Sequence, residues 1–282
     1  MTTKIGWTDE TWNPVTGCTK YSAGCNNCYA EPIALKFQKR GIPGYEKGFK
    51  VKCHPKRLKA PYTWLKPRRV FVNSMSDLFH PDVPDEFMFE VFTVMNKCPQ
   101  HTFQVLTKRP ERMAALNDKL LWTANLWAGV SVEALKYASR VELLAHCVDA
   151  NMKYISFEPL LEDIFGDRYK TKTRYNEQVR FFSLINDHIG WVIAGGESGN
   201  NPRAMQPIWA DKIRAFCEAQ KIPFFFKQVG GRGPKKGGNV LRGEIFMQYP
   251  GEILSSKDKF KLEYGQEFGA SEPGDKPTSR RL

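Results

Sequence analysis

The sequence predicts an α/β fold built around a parallel sheet, because short apolar segments alternate along the chain with segments of helical periodicity. Of the 282 residues, 41% are hydrophobic, so a sizeable core can form. This length fits one large domain or two small ones. We predict one domain over residues 1–231, followed by a C-terminal extension over residues 232–282.

Seven segments have the length and the β-branched or aromatic content of buried strands. They are residues 11–15, 70–73, 102–106, 126–130, 154–157, 191–194 and 223–226. Five intervening segments have helical periodicity, namely residues 28–38, 85–96, 110–117, 133–149 and 209–220. The second of these begins with Pro84 and acidic residues, which is typical of a helix start. Residues 167–186 are expected to be an insertion between the fifth and sixth strands.

Polar side chains follow nearly every predicted strand at its carboxyl end. In a parallel barrel these ends converge on one face, where binding and catalytic sites are built. Loops are polar in general, but seven such ends favour a shared pocket. The candidate residues are Asn73, Ser74, Ser76, Asp77, Lys108, Arg109, Ser131, Glu133, Glu158, Glu197 and Lys227.

The net charge of +12 comes mostly from one segment, residues 36–69. That segment holds twelve Lys or Arg residues and a single acid, Glu46, whereas residues 71–231 are nearly neutral. Cations neutralise phosphates and aromatic rings stack on bases, so the segment predicts contact with a nucleic acid or nucleotide. The alternative is a solvated loop whose aromatic residues dock on the protein body. The interleaved aromatic residues are Phe37, Tyr45, Phe49, Tyr62 and Trp64.

The chain has seven cysteines, an odd number, and its first residues lack the apolar core of a signal peptide. These features predict a cytoplasmic protein without a disulfide framework. No apolar run reaches 18 residues, so we expect no transmembrane helix and no membrane partner. Cys98, Cys147 and Cys217 fall in apolar helical patterns and are expected to be small core residues.

The other cysteines include a close group, Cys18, Cys25 and Cys28, with the spacing C-x6-C-x2-C in a glycine-containing loop. Three thiolates on one loop can bind three irons of a cubane cluster. They can also bind zinc, with Cys53 or His54 as the fourth ligand. A third alternative is that they are core residues without metal. The spacing alone leaves all three open.

Several longer blocks surround this group. They are residues 7–18 (WTDETWNPVTGC), 71–80 (FVNSMSDLFH), 103–113 (FQVLTKRPERM), 129–133 (GVSVE), 157–161 (FEPLL), 195–199 (GGESG) and 224–228 (FFFKQ). With Cys25 and Cys28, these blocks resemble an uncharacterised phage-associated protein family with a three-cysteine, radical-SAM-like motif. The resemblance covers about residues 5–245.

The resemblance implies a partial TIM-like (β/α) barrel of the radical-SAM type, with about six to seven parallel strands. It implies a [4Fe–4S] cluster on Cys18, Cys25 and Cys28, with S-adenosylmethionine on the fourth iron. Such an enzyme makes a 5′-deoxyadenosyl radical that abstracts hydrogen from a substrate, but the resemblance implies no particular reaction. The basic segment, residues 36–69, predicts that the substrate is a nucleotide or nucleic-acid base to be modified or repaired. A small molecule or a peptide is the alternative substrate. The electron comes from a reductant such as flavodoxin or ferredoxin.

The same resemblance suggests roles for the polar strand ends. Contacts to S-adenosylmethionine or the substrate are expected from Asn73, Ser74, Ser76, Asp77, Lys108, Arg109, Ser131 and Glu133. Substrate contact or proton transfer is expected from Glu158, Glu197 and Lys227. For each acid or base, the alternative is a salt bridge at the barrel end.

The motif departs from the commonest radical-SAM pattern, C-x3-C-x2-C. Its first gap is six residues long, and Asn27 stands where an aromatic residue often precedes the last cysteine. Residues 73–77 (NSMSD) stand where a Gly-Gly-Glu sequence often binds the methionine amine.

Two hypotheses of other classes remain. One is a zinc-stabilised nucleic-acid-binding protein without redox chemistry, which would use the same basic segment. The other is a barrel scaffold that acts through a partner protein.

Overall fold

Seven parallel strands form one sheet in a computed structural model, which describes residues 3, 5–166, 172–233 and 237–251. The strands are β1 (Glu10–Trp12), β2 (Arg69–Val72), β3 (Thr102–Thr107), β4 (Leu126–Ser131), β5 (Met152–Phe157), β6 (Trp191–Gly195) and β7 (Phe224–Gln228). They lie in the sheet in the order that they have in the chain. Helices join most of them, and β1 does not pair with β7, so the sheet is a half-barrel. The predicted partial TIM-like (β/α) barrel is therefore confirmed.

The helices follow the predicted alternation closely. They are α1 (Ala30–Lys39), α2 (Asp85–Asn96), α3 (Pro110–Ala115), α4 (Ser139–Cys147), α5 (Lys172–His188) and α6 (Pro207–Ala219). The predicted helix over 133–149 is shorter, because a 3-10 turn, Leu135–Tyr137, precedes α4. The predicted insertion over 167–186 is wrong, since most of it is α5, the helix that connects β5 to β6. Residues 167–171 lie outside the described residues.

Alternate residues of each strand face opposite sides of the sheet. In β5, Ile155 and Phe157 belong to the large core under the helices. Tyr154, which precedes Ile155 and faces the opposite side, belongs to a separate aromatic cluster on the concave face. That cluster consists of Trp7, Phe71, Tyr154, Trp191, Ile193, Phe225 and Tyr249. It fills the part of the half-barrel near the amino ends of the strands.

The described part of the extension packs on the edge of the sheet beside β7. The Phe226 N–H donates to the Phe246 carbonyl at 2.8 Å, and the Gln248 N–H donates to the Phe224 carbonyl at 3.1 Å. The Tyr249 hydroxyl donates to the Gly6 carbonyl at 3.1 Å. The segments before β1 and after β7 therefore close the aromatic cluster together. Residues 234–236 and 252–282 of the predicted extension lie outside the described residues.

Two of the three cysteines predicted to be core residues are buried, Cys98 and Cys217. Cys147 is exposed, so the prediction is wrong for this residue, which ends α4 on its solvent side. Within the described part of the chain, no helix is both long enough and apolar enough to cross a bilayer.

Candidate functional site

A cavity of about 460 Å³ opens at the carboxyl ends of the strands. Its lining includes every site residue predicted from the sequence except Glu133: Cys18, Cys25, Cys28, Asn73, Ser74, Ser76, Asp77, Lys108, Arg109, Ser131, Glu158, Glu197 and Lys227. Glu133 lies directly behind the lining, with Lys108 Nζ at 3.9 Å from its Oε1. The fold thus brings the predicted residues of all seven strand ends to one place. Apolar residues, among them Trp7, Phe71 and Leu106, also line the cavity.

The cysteine loop, residues 17–28, forms one wall of this cavity. It starts at Gly17, whose positive φ of 84° suits glycine and whose missing side chain leaves room for the Lys50 carbonyl. The Cys18 N–H donates to the Phe49 carbonyl at 3.1 Å. The loop then makes a 3-10 turn, Ala23–Cys25, and ends where α1 begins. All three cysteines are partly buried and free of disulfides.

Arg109, which follows β3, holds the first cysteine of the loop. Its guanidinium donates to Cys18 Sγ at 3.6 Å, to the Thr19 carbonyl at 2.9 Å and to Asp77 Oδ2 at 3.1 Å. It also lies 4.8 Å from the Tyr21 ring centre. The guanidinium is therefore engaged within the protein, so it is poorly placed to pair with a ligand carboxylate.

Glu133, which follows β4, holds the middle of the loop. Its side chain is fully buried and pairs with Arg140 at 2.9 Å. Its Oε1 accepts a hydrogen bond from the Ser22 hydroxyl at 2.5 Å. Gly24 packs against the same carboxyl group, where a larger residue would overlap it.

Glu197, which follows β6, holds the last part of the loop. It accepts hydrogen bonds from Arg203 and, at 2.9 Å, from the side-chain amide of Asn27. Burial opposes its ionisation, but these hydrogen bonds hold the pKa of Glu197 below its usual range. Arg203 also donates to the Ala23 carbonyl at 2.9 Å. Asn27, which stands in place of an aromatic residue, therefore ties the loop to the end of β6.

The cysteine thiols are partly buried and have hydrogen-bond donors around them. Burial raises the pKa of Cys18 to about 11, with a further contribution from Asp77 that Arg109 opposes. Burial also raises the pKa of Cys28, while the N–H groups of Ala30 and Glu31 at the start of α1 act in the opposite direction. A bound metal would displace the thiol protons, and these donors would then stabilise the thiolates.

Two metal centres are predicted for the cysteines, a single zinc ion and a cubane iron–sulfur cluster. Among the described residues, no three His, Cys, Asp or Glu side chains are grouped so as to hold a single metal ion. A cubane cluster has no such requirement, because each thiolate binds a different iron. Neither predicted fourth zinc ligand, Cys53 or His54, lines the cavity. His54 Nε2 shares a 2.7 Å hydrogen bond with the Thr16 hydroxyl instead.

The loop after β2 contains the residues that stand in place of Gly-Gly-Glu. Asp77 accepts hydrogen bonds from the Thr107 hydroxyl at 2.7 Å and from the Lys108 N–H at 3.2 Å, besides Arg109. The Ser76 hydroxyl donates to the Val15 carbonyl at 2.9 Å. Asn73 differs, because its buried side-chain N–H₂ has no partner among the described residues and its side chain lines the cavity. Asn73 is thus the residue of this loop whose side-chain donor is not used within the described part of the protein.

Glu158 and Lys227 face the cavity as a pair. Lys227 Nζ lies 3.0 Å from Glu158 Oε1, and the Ser156 hydroxyl donates to Glu158 Oε2 at 3.2 Å. The Lys227 side chain remains 21% exposed and the Glu158 side chain 13%. This pair places a donor and an acceptor side by side above the aromatic cluster.

The first half of the basic segment borders the cavity. Residues Val15–Thr16 pair with Lys52–Cys53 in a short antiparallel ladder next to the cysteine loop. Phe49 lines the cavity, whereas Tyr45 is buried and Trp64 packs on His101 at 5.5 Å. The interleaved aromatic residues are therefore divided between the site and the body of the protein.

Three further residues, which were not predicted from the sequence, hold the cysteine loop from outside the strand ends. Arg140 lies on α4, Tyr137 receives a hydrogen bond from the Ala23 N–H at 3.0 Å, and Arg203 follows the end of β6 by eight residues. Their only sequence signal is a positive charge or an aromatic ring, which is common on surfaces. Their roles depend on the tertiary fold.

The chain was compared with family models, with curated proteins and with solved structures, and it matches a family model. No curated protein and no solved structure is significantly similar to the chain. A family model matches residues 2–250, which include the whole cavity and the cysteine loop. The chain therefore belongs to the family described as "Protein of unknown function (DUF5131)".

Proposed function

We propose that this protein is a radical S-adenosylmethionine enzyme whose cysteine loop holds a [4Fe–4S] cluster and whose substrate is a nucleotide or nucleic-acid base. The observation that carries the proposal is the cavity itself. Three cysteines of one loop line it together with polar residues from every strand end of a half-barrel. Sites on such barrels are built at this end.

Cys18, Cys25 and Cys28 are the residues that would hold the cluster. When bound, the cluster and S-adenosylmethionine supply a reducing electron and a 5′-deoxyadenosyl radical that removes hydrogen from a substrate. The protein contributes binding, orientation and exclusion of water. Arg109, Glu133 and Glu197 keep the three cysteines in place.

This assignment revises the roles suggested by the sequence. Glu133, Glu197, Asp77 and Arg109 are engaged in ion pairs that shape the loop, so we assign them to positioning. Asn73, Ser74, Ser76, Ser131 and Lys108 remain for contacts to S-adenosylmethionine, since they line the cavity. Glu158 and Lys227 remain for substrate contact or proton transfer, because they are partly exposed within it.

The charge supports a phosphate-bearing substrate. The basic segment begins in the last turn of α1, where Lys36 and Lys39 are exposed, and it reaches the cavity at Phe49. A cluster enzyme also needs an electron donor, and a flavodoxin or ferredoxin is the class that we propose. Phage association of this family stays a prediction from the resemblance.

Anaerobic reconstitution with iron and sulfide tests the proposal. We expect a brown protein with about four irons per chain. The Cys25→Ala variant should remain colourless, whereas Cys147→Ala, which removes an exposed cysteine outside the cavity, should load like the wild type. Colourless wild-type protein that binds one zinc ion tightly would instead establish the zinc-stabilised nucleic-acid-binding alternative.

A further inference from the structure

The basic segment consists of two parts with different surroundings. Residues 36–50 precede the short strand Lys52–Cys53 and lie beside the cysteine loop. The second part contains the 3-10 helix Pro55–Thr63, which packs against α2. Only the first part contributes a residue, Phe49, to the cavity lining.

Phe49 has a fixed position at this edge. Its carbonyl accepts the Cys18 N–H at 3.1 Å, and its side chain packs against the small cluster that contains Ala34 and Met75. The ring is partly exposed and lines the same cavity as Cys18 and Cys28. Phe37 and Trp64 are also partly exposed and Tyr62 is 49% exposed, but none of these three aromatic residues lines the cavity.

The cations around Phe49 are available to a ligand. The segment's one acid, Glu46, is already paired with Lys52 at 2.8 Å. Within residues 36–50, five exposed cations have no carboxylate within ion-pair distance among the described residues: Lys36, Lys39, Arg40, Lys47 and Lys50. In the second part, Arg57 donates to the Asn13 carbonyl and Arg68 pairs with Glu10. Its other exposed cations, Lys56, Lys59 and Lys66, are also without a carboxylate partner among the described residues, but no residue of this part lines the cavity.

We propose that residues 36–50 bind a single-stranded polynucleotide, with Phe49 stacked on an unpaired base at the edge of the cavity. Five unpaired cations suit a row of phosphates better than the phosphates of one free nucleotide. A base inside a duplex cannot reach a cavity within a half-barrel, so the base must be unstacked. An aromatic ring beside cations is the usual platform for such a base. This inference deepens the proposed function and rests on it for the fate of the base.

Fluorescence anisotropy with a labelled oligodeoxynucleotide of about 15 nucleotides tests the stacking. The same sequence is also tested as single-stranded RNA and as a DNA duplex. We expect single strands to bind more tightly than the duplex, and the DNA and RNA arms decide which sugar is preferred. The Phe49→Leu variant, which keeps an apolar side chain, should weaken single-strand binding by about 5- to 100-fold. Phe49→Tyr should bind within about twofold of the wild type, because it keeps the ring.

Matched variants provide the controls. Tyr62→Leu makes the same kind of change outside the cavity and should leave binding within about twofold. Replacing Lys47 and Lys50 by Ala should reduce the slope of log affinity against log salt by about 1.4, whereas replacing Lys56 and Lys59 should leave it unchanged. The lysine variants test the inference independently of any change in the cysteine loop. Equal binding by Phe49→Leu, tighter binding of the duplex, or equal effects of the two lysine pairs would overturn it.

The two proposals can fail separately. If the reconstituted protein makes 5′-deoxyadenosine but binds no oligonucleotide at low salt, the inference fails and the proposed radical function stands. If the oligonucleotide binds as described but no cluster forms, the radical function fails and the binding surface stands.

Discussion

The concave face of the sheet has two halves of opposite chemistry. The lower half, at the amino ends of the strands, is filled by aromatic rings that include Trp7, Tyr154 and Trp191. The upper half is the cavity with its cysteine loop and its ionic pairs. In β5, Tyr154 belongs to the aromatic cluster, and Ser156, the next residue on the same face, lines the cavity. A single strand therefore contributes first to the packed aromatic cluster and then to the cavity. Substitutions in the lower half are expected to change the free energy of unfolding, and substitutions in the upper half are expected to change metal binding.

The largest effect is expected in the lower half. Trp191 has its ring centre within 6.4 Å of those of five aromatic residues, and its Nε1–H donates to the Gln248 carbonyl at 2.9 Å. Trp191→Ala should lower the free energy of unfolding by about 3–5 kcal/mol, because it leaves a cavity and an unpaired carbonyl. Urea denaturation followed by circular dichroism measures this loss. Iron lost from the folded variant without a loss of stability would show that the halves are not separable.

A smaller effect in the lower half is expected at Gly129 in β4. A methyl group there would overlap the ring of Tyr154, which lies across this glycine. Gly129→Ala should cost about 1–3 kcal/mol through overpacking. Gly6→Ala is the control, because its methyl group would meet Phe225 only at an ordinary 3.6 Å. Equal unfolding midpoints for the two variants would contradict the packing described for this half.

The upper half should respond in metal retention more than in stability. Glu197→Gln weakens the attachment of the loop through Asn27 and Arg203 while keeping the size of the side chain. We expect reconstituted iron to be held about tenfold less tightly against a chelator, as for other residues that orient ligands. Glu142→Gln, in an exposed ion pair with Arg180, is the control and should retain iron normally. Unchanged retention in Glu197→Gln would remove its positioning role.

The smallest effect concerns pH. The aromatic cluster contains no histidine or carboxylate, whereas His54 supports the start of the cysteine loop through Thr16. Burial, with nearby Arg57 and Lys52, lowers the pKa of His54 to about 4 from 6.5. Between these values the unfolded chain binds the proton and the folded chain does not, so stability falls as the pH is lowered through this window. The loss attributable to His54 should be about 1 kcal/mol at pH 6.

The pH prediction is checked by urea denaturation at pH 6 and pH 7. The His54→Gln variant should lose this part of the difference, since it cannot take up the proton. An identical difference in both proteins would mean that His54 does not contribute.

The two halves also differ in how far the sequence predicts them. The alternation of apolar segments predicts all seven strands of the sheet, and the polar strand ends predict the cavity lining. The sequence cannot show that Trp7 and Tyr249, which are distant in the chain, close one aromatic cluster. Helix α5 is missed because most of its described side chains are polar or exposed, so its apolar face is weak.

Within the site, residue type predicts position better than role. Glu133 and Glu197 lie where the sequence places them, but their partners Arg140 and Arg203 come from α4 and from the loop after β6. Whether an acid faces a substrate or holds a loop depends on such partners. That information is in the tertiary structure and not in the spacing of the motif.

The most direct test of the central claim is the formation of 5′-deoxyadenosine. Reconstituted wild-type protein is reduced with dithionite in the presence of S-adenosylmethionine, and the nucleoside is measured by chromatography and mass spectrometry. We predict that the wild type forms it and that Cys25→Ala does not. A wild-type protein that carries a full complement of iron and sulfide but forms no 5′-deoxyadenosine would contradict the radical function of the upper half.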